Sequence, residues 1–188
     1  MKMKKMTVLL FAAVLCFCLF SCTGRTVGAA SAGASAGMTE KDFTVYDGEK
    51  NYITLDSPYE VFAIDAMEEA DSSYVGEIYS GELVYKVYCH NYTDFDLYTS
   101  NMNYNFKNRG FDNYYITQIT LKTSMFKTYR GIAVGSGVED LMNAYGFGEE
   151  VIEDGNTNAS YTFNDMKLQF TIDENKRIQR IILLCCEI

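Results

Sequence analysis

Few side chains in this sequence have the types and spacing that catalysis requires. His90 is the only histidine, whereas a catalytic triad needs a base paired with a nucleophile and most zinc sites use several ligands. The paired carboxylates Glu68-Glu69 and Glu149-Glu150 lie in polar stretches, where solvated acids keep ordinary pKa values and make poor acid–base catalysts. We therefore predict no catalytic activity and no cofactor, and we interpret His90 as a surface residue.

One polar loop half-matches a calcium site. Its oxygen-bearing side chains follow one another as Asp154, Asn156, Asn158 and Asp165. Ala159 stands where a calcium loop requires glycine, and strands rather than helices are predicted on both sides. A polar turn is therefore preferred over a metal site, and no metal is predicted.

Two cysteines could form a disulfide outside the cytoplasm. Cys89 and Cys185 fall on the inward-facing positions of their predicted strands, and an oxidising compartment would allow them to bond. Alternatively, each packs as a small apolar side chain. No Cys-x-x-Cys pattern occurs, which argues against a redox enzyme.

The N-terminus has the layout of a secretory signal peptide over residues 1–21. Three early lysines precede an apolar run of about a dozen residues, Val8 to Phe20, which is short for a membrane span. The run ends in Leu19-Phe20-Ser21-Cys22, which resembles the lipobox of bacterial lipoproteins. An ordinary cleaved signal and an uncleaved anchor are the alternatives. The resemblance implies lipidation of Cys22 and attachment to a membrane outside the cytoplasm.

Residues 22–38 consist almost entirely of Gly, Ala, Ser and Thr, a composition typical of a flexible tether. The roughly 150 residues that follow are enough for one domain or for two small fused repeats. The formal net charge of the chain is −9. Because such a chain repels phosphate backbones, nucleic acid is excluded as a partner of the folded part.

Two stretches carry the same helix-start pattern. Ser57–Glu60 and Ser136–Glu139 each place a serine three residues before a glutamate, as in a capping box. Apolar residues at helical spacing then predict helices from Tyr59 to about Ala70 and from Val138 to Tyr145. Gly146 is placed to end the second helix.

Alternation of apolar and polar residues predicts antiparallel strands with one covered and one open face. The predicted strands are Phe43–Tyr46, Asn51–Leu55, Leu83–His90, Phe95–Tyr98, Tyr115–Lys122, Ile132–Val134, Tyr161–Phe163, Met166–Ile172 and Arg177–Cys186. A polar turn region is predicted from Glu149 to Asn158. The predicted fold class is α+β, with two tandem helix-plus-antiparallel-meander units, residues 39–127 and 128–188. They would form one sheet with helices on one face.

The second unit resembles a known fold. Gly131 to Ser136, followed by Val138, Leu141 and Tyr145-Gly146, resembles the repeat of β-lactamase-inhibitor-protein-like domains. That group includes small lipoproteins of the outer-membrane β-barrel assembly machine. The first unit matches less well, because Leu55-Asp56-Ser57 lacks the glycine. The resemblance implies an extracytoplasmic setting and, more loosely, a sheet face that binds protein.

The open sheet face is the predicted binding surface. The candidate binding residues are Tyr88, His90, Asp96, Tyr98, Gln118, Lys122, Lys167 and Gln169, with Lys86 beside them. Tyrosines mixed with charged groups suit protein recognition, although a merely solvated face has the same composition. We predict a lipid-anchored, extracytoplasmic, protein-binding or envelope-assembly module. The alternatives are a binding protein for an envelope glycan or peptide, and a secreted inhibitor.

Overall fold

Eleven strands account for most of the chain that the computed structural model describes, namely residues 37–48, 50–62, 64, 73–80, 83–101, 113–153 and 155–186. These residues all belong to one compact unit, Ala32–Ile188. The predicted signal peptide, Cys22 and most of the predicted tether lie outside the described residues. The paired carboxylates Glu68-Glu69 and the possible calcium ligand Asp154 also lie outside the described residues.

The described strands form two antiparallel sheets. In chain order they are β1 (Thr44–Tyr46), β2 (Tyr52–Thr54), β3 (Ser73–Ser80), β4 (Leu83–Asn91), β5 (Phe95–Ser100), β6 (Tyr115–Leu121), β7 (Lys127–Thr128), β8 (Glu149–Glu153), β9 (Asn156–Phe163), β10 (Met166–Ile172) and β11 (Ile178–Cys185). The larger sheet has the order β3-β4-β5-β6-β11-β10-β9-β8, and the smaller has the order β2-β1-β7. Two meanders, β3–β6 and β8–β11, therefore meet at the β6–β11 pair. The division into repeat units 39–127 and 128–188 stays a prediction.

The predicted α+β class, with helices on one face of the sheet, is wrong. The described chain is mostly β and contains one α-helix, α1 (Val138–Tyr145), besides the short 3-10 helices Glu40–Phe43 and Tyr59–Val61. The first predicted helix ends almost at once, because Phe62 has extended dihedrals of φ −67° and ψ 115°. Its continuation over residues 65–70 lies outside the described residues.

Long-range hydrogen bonds explain why the first helix does not form as predicted. The backbone N–H of Asp56 donates to the Ile116 carbonyl at 2.7 Å, and that of Tyr59 donates to the Tyr114 carbonyl at 2.9 Å. The Ile116 N–H returns a bond to the Ser57 carbonyl. The segment is thus held extended along β6, and this tertiary pairing overrides its local helix-start pattern.

The second predicted helix is confirmed, but its capping differs in detail. The residue before the helix is Gly137, whose N–H donates to Asp140 Oδ2 at 3.2 Å, while the Ser136 hydroxyl accepts from the Ala133 N–H. Gly146 ends the helix with φ 75°, a conformation that glycine adopts without steric cost. The predicted strand at 132–134 is wrong, since only Ala133 forms a single bridge there.

The predicted polar turn at 149–158 is also wrong, because β8 and the start of β9 occupy it. The predicted hairpin β1–β2 and the alternating strands β4, β5, β6, β10 and β11 are confirmed. Charged residues in β8 suggested a turn, yet an edge strand tolerates charges on both faces.

The main core lies between the larger sheet and the smaller sheet with α1. Strand register places Leu97, Ile119, Leu183, Leu168 and Tyr161 opposite one another across five strands, and each is at most 5% exposed. We call this side of the larger sheet the core face and the opposite side the outer face. Side chains alternate between the two faces along each strand.

The three described cysteines, Cys89, Cys185 and Cys186, are thiols and not members of disulfides. Cys89 pairs in register with Tyr98 on the outer face, whereas Cys185 pairs with Met166 on the core face. Their strands are three positions apart in the sheet, about 14 Å at the usual strand spacing, which is too far for a disulfide. We expect alkylation after unfolding to modify all three thiols without prior reduction, as measured by intact mass. Protection of two thiols, reversed by a reductant, would contradict the structure.

Candidate binding cleft

The predicted binding residues do not share one face. Asp96, Tyr98, Gln118, Lys122, Lys167 and Gln169 lie on the outer face, whereas Tyr88, His90 and the neighbouring Lys86 lie on the core face. The register of β4 with β5 shows which face His90 and Tyr88 occupy, because His90 lies opposite the buried Leu97 and Tyr88 lies opposite Thr99. The interpretation of His90 as a residue of the open face is therefore wrong.

Tyr88 and His90 instead line a cleft at the end of the core face. Its six lining residues are Tyr59, Glu60, Tyr88, His90, Thr99 and Tyr114, and its volume is about 300 Å³. We call it the tyrosine cleft. Four aromatic rings surround an open space with one exposed carboxylate, Glu60, at the rim. Such a surface offers apolar ring faces and hydrogen-bonding groups to the same ligand.

The backbone pairing described above positions two of these tyrosines. Tyr59 follows Pro58, whose ring fixes φ at −60°. The ψ of Pro58 is 131°, which is extended, and Pro58 forms a bridge to Tyr115 at the start of β6. The Tyr59 N–H donates to the Tyr114 carbonyl, so the two residues are held side by side. Tyr88 reaches the same place from β4 and meets the Tyr114 ring edge-on, with a centroid distance of 5.5 Å.

His90 is part of the cleft wall. Its ring stacks on Tyr59 with a centroid distance of 4.3 Å. Its Nδ1 is 3.1 Å from the Tyr59 hydroxyl, and its Nε2 is 3.2 Å from the Thr99 hydroxyl. Because both ring nitrogens are engaged, the imidazole orients the two neighbouring side chains. The adjacent Cys89 lies on the other face of the sheet, so the two cannot act as a nucleophile–base pair.

The outer-face candidates are held by a separate set of contacts. Lys122 Nζ donates to Asp96 Oδ1 at 2.7 Å, and Gln118 donates to the Thr120 hydroxyl at 3.0 Å. Burial raises the pKa of Tyr98 to about 12, and burial also raises the pKa of the Cys89 thiol. Both groups therefore stay protonated at neutral pH, and Cys89 is not an activated thiolate.

A second, larger depression of about 630 Å³ lies beside the 3-10 helix Glu40–Phe43. Three of its four charged side chains already make contacts within the protein, because Arg130 donates to Asp42 at 2.6 Å and the Lys41 ammonium lies 5.8 Å from the centre of the Tyr129 ring; the fourth is Glu40. Size alone favours this depression. We nevertheless prefer the tyrosine cleft, because four aromatic rings and the exposed Glu60 carboxylate line it together.

Within the described ranges, no three His, Cys, Asp or Glu side chains come close enough together to hold a metal ion. The described part of the chain also contains no helix that is long and apolar enough to cross a bilayer. Neither finding bears on Cys22, which lies outside the described residues.

Sequence reasoning missed four of the six cleft residues, namely Tyr59, Glu60, Thr99 and Tyr114. Tyr59 was interpreted as part of a buried helix face. The Ser57-Pro58 step was the available indication to the contrary, since the residue before a proline favours extended backbone. Tyr114 directly precedes the predicted strand Tyr115–Lys122, and nothing local marks its contact with Tyr88.

No protein-family model matches the chain, and neither a curated protein nor a solved structure matches it. The resemblance to β-lactamase-inhibitor-protein-like domains therefore rests on the motif at Gly131–Gly146 alone. Function has to be argued from the cleft itself.

Proposed function

We propose that this chain is a non-catalytic binding protein of the bacterial cell envelope. Lipidated Cys22 would anchor it outside the cytoplasm, and the tyrosine cleft would hold a segment of a partner protein. The observation that carries this proposal is the convergence of four aromatic rings from three separate segments of the chain around one open cleft.

Rigid aromatic groups favour recognition over catalysis. Tyrosine supplies a large contact area at a low cost in side-chain entropy, and it is enriched among the residues that dominate binding energy. The contacts of Tyr59 with His90, and of Tyr88 with Tyr114, fix the rings before a ligand arrives. Fixed groups lose less freedom on binding, so more of the contact energy appears as affinity.

An envelope glycan is the second candidate ligand. Tyrosine rings that line a cleft can pack against sugar rings, and the exposed Glu60 carboxylate can accept hydrogen bonds from sugar hydroxyls. The same cleft would then serve a glycan-binding lipoprotein. If Cys22 is not lipidated, a secreted inhibitor that uses this cleft is the corresponding soluble form.

Replacing Tyr88 by alanine is expected to weaken partner binding by roughly 30-fold, the effect of losing a contact worth about 2 kcal/mol. The measurement is retention of envelope proteins, and of cell-wall glycans in parallel, on the full chain carrying Cys22→Ser to prevent lipidation. A stoichiometric protein that is lost with Tyr88→Ala supports the proposal, and glycan retention lost in the same way supports the second candidate.

The matched control for this experiment is Tyr52→Ala. Tyr52 is 69% exposed and does not line the cleft, so its loss should leave binding unchanged. Equal retention by the Tyr88→Ala and unsubstituted chains, with unchanged thermal unfolding, would show that the cleft is not the binding site.

A further inference from the structure

A second binding feature lies at the opposite end of the larger sheet from β3. Among the described strands, β8 is the last in the sheet order and pairs only with β9. Alternate N–H and C=O groups of such a strand point away from its neighbour. An unpaired edge of this kind can accept another strand.

The side chains of Glu149 to Ile152 in β8 are exposed, and they lie on both faces of the sheet. Val151 is 42% exposed and Ile152 is 79% exposed, and Glu149 and Glu150 are exposed as well. Register with β9 places Val151 on the outer face, opposite Asn158, and Ile152 on the core-face side, opposite Thr157. Over Glu149 to Ile152, an added strand would therefore meet one apolar and one acidic side chain on each face.

The start of β8 is held firmly against β9. A Cβ atom on Gly148 would lie 2.8 Å from Tyr161 Cζ and 2.9 Å from the Ser160 carbonyl oxygen, so only glycine allows this close approach. The Tyr161 hydroxyl also donates to the Gly146 carbonyl at 2.9 Å. These contacts hold the start of β8 in place before a partner binds, which reduces the entropy lost when a strand pairs with it.

Charge indicates which strand would fit. Residues 131–166 contain seven acidic residues and no Lys, Arg or His, and β8 itself reads Glu-Glu-Val-Ile-Glu. A second copy of this chain, paired antiparallel about Val151, would place Glu149 opposite Glu153. Like charges placed directly opposite destabilise strand pairing, so a basic partner is favoured over self-association.

We propose that the edge of β8 binds an extended segment of another protein in which pairs of Lys or Arg residues alternate with pairs of apolar residues, so that each face of the segment carries both kinds of side chain. The partner adds a ninth strand by backbone hydrogen bonds, and its basic side chains lie beside Glu149 and Glu150. This surface is separate from the tyrosine cleft, so the two can be tested independently.

The test uses the full-length chain in detergent and a capped ten-residue peptide in which pairs of lysines alternate with pairs of valines. We expect saturable binding together with slowed amide hydrogen exchange at residues 149–153 and not in β3. A peptide of the same sequence with alternate backbone nitrogens methylated keeps the charge but cannot pair along one edge, and we expect it to bind at least tenfold more weakly. Equal binding of the two peptides would overturn the proposal by showing attraction by charge alone.

The second part of the test reverses the charges of β8. Glu149→Lys combined with Glu150→Lys is expected to weaken lysine-peptide binding at least tenfold and to improve binding of the matching glutamate peptide. The control pair, Glu139→Lys with Glu174→Lys, makes the same change in net charge at exposed positions outside β8, and it should change affinity less than twofold. Protection confined to another strand, equal effects of the two charge pairs, or no binding at millimolar peptide would each refute the proposal.

Discussion

Replacing Arg130 by methionine is expected to lower the free energy of unfolding by about 3–5 kcal/mol, the usual cost of removing one partner from a buried ion pair. The Asp42 side chain is 1% exposed and that of Arg130 is 17% exposed. Methionine keeps much of the volume of the side chain but leaves the Asp42 carboxylate without its counter-charge. The measurement is equilibrium urea unfolding followed by circular dichroism.

The expected loss is large because Arg130 joins three parts of the fold. Its guanidinium donates to both Asp42 oxygens at 2.6 and 2.9 Å, to the Ala144 carbonyl near the end of α1 at 2.9 Å, and to the Gly37 carbonyl at 3.0 Å. It also lies 4.7 Å from the centre of the Tyr145 ring. Lysine cannot reproduce these fixed directions, because it lacks the planar fork of donors.

Two further variants distinguish the effect of losing the ion pair from the general effect of replacing an arginine side chain. Arg177 is exposed and its guanidinium donates to the Gly135 carbonyl at 2.8 Å, so Arg177→Met should cost no more than about 1 kcal/mol. Adding Asp42→Asn to Arg130→Met should recover part of the loss, because the uncompensated charge is gone. A cost for Arg130→Met no larger than that of Arg177→Met would contradict this account.

The same pair gives a pH dependence with a definite sign. Burial acts to raise the pKa of Asp42, but hydrogen bonds from Arg130 and Thr39 and the guanidinium charge outweigh it, so the pKa lies below its ordinary value of 3.8. The folded state thus binds this proton more weakly than the unfolded state does. Its contribution to stability is fully present above pH 3.8 and is lost as the pH falls through the lower folded-state value. The cost of Arg130→Met should therefore shrink between pH 7 and pH 3.

Regular alternation was enough to predict several strands but not the face to which each side chain points. Along β10, Met166, Leu168, Phe170 and Ile172 form one apolar row and their neighbours are polar, so the buried row could be predicted. In β4 both rows mix apolar and polar residues. Which row of β4 faces the core is determined by its register with β5, which places Cys89 beside Tyr98 and His90 beside Leu97. Register is a long-range property that a single strand does not encode.

The cleft was hidden from sequence reasoning for a similar reason. The serine, proline and glutamate of Ser57–Glu60 form a sound local helix start. The structure instead pairs Ser57 and Pro58 with the start of β6, and only the single 3-10 turn Tyr59–Val61 follows. Tertiary hydrogen bonds routinely override such local preferences. The aromatic composition suggested a binding surface, whereas the convergence of Tyr59, Tyr88 and Tyr114 depends on pairings between distant parts of the chain.

Replacing Phe95 by alanine is expected to lower the free energy of unfolding by about 3–5 kcal/mol, the usual cost of emptying a buried aromatic site. Phe95 is 1% exposed. Its ring stacks on Tyr92 with a centroid distance of 4.6 Å and meets Phe126 edge-on at 5.1 Å. Phe147→Ala is the control, since Phe147 is 60% exposed and its loss should change stability by less than about 0.5 kcal/mol.

The Phe95 ring is also linked to the wall of the tyrosine cleft by a series of ring contacts. It meets Phe62 edge-on at 6.5 Å, Phe62 stacks on Tyr59 at 5.7 Å, and Tyr59 stacks on His90. A cavity at Phe95 should therefore loosen the wall formed by Tyr59 as well as the core, because side chains in contact relax together. Amide exchange at 59–61 should then accelerate more than at β8, which lies at the far end of the sheet. Equal acceleration at both places would show that Phe95 stabilises the fold without organising the cleft.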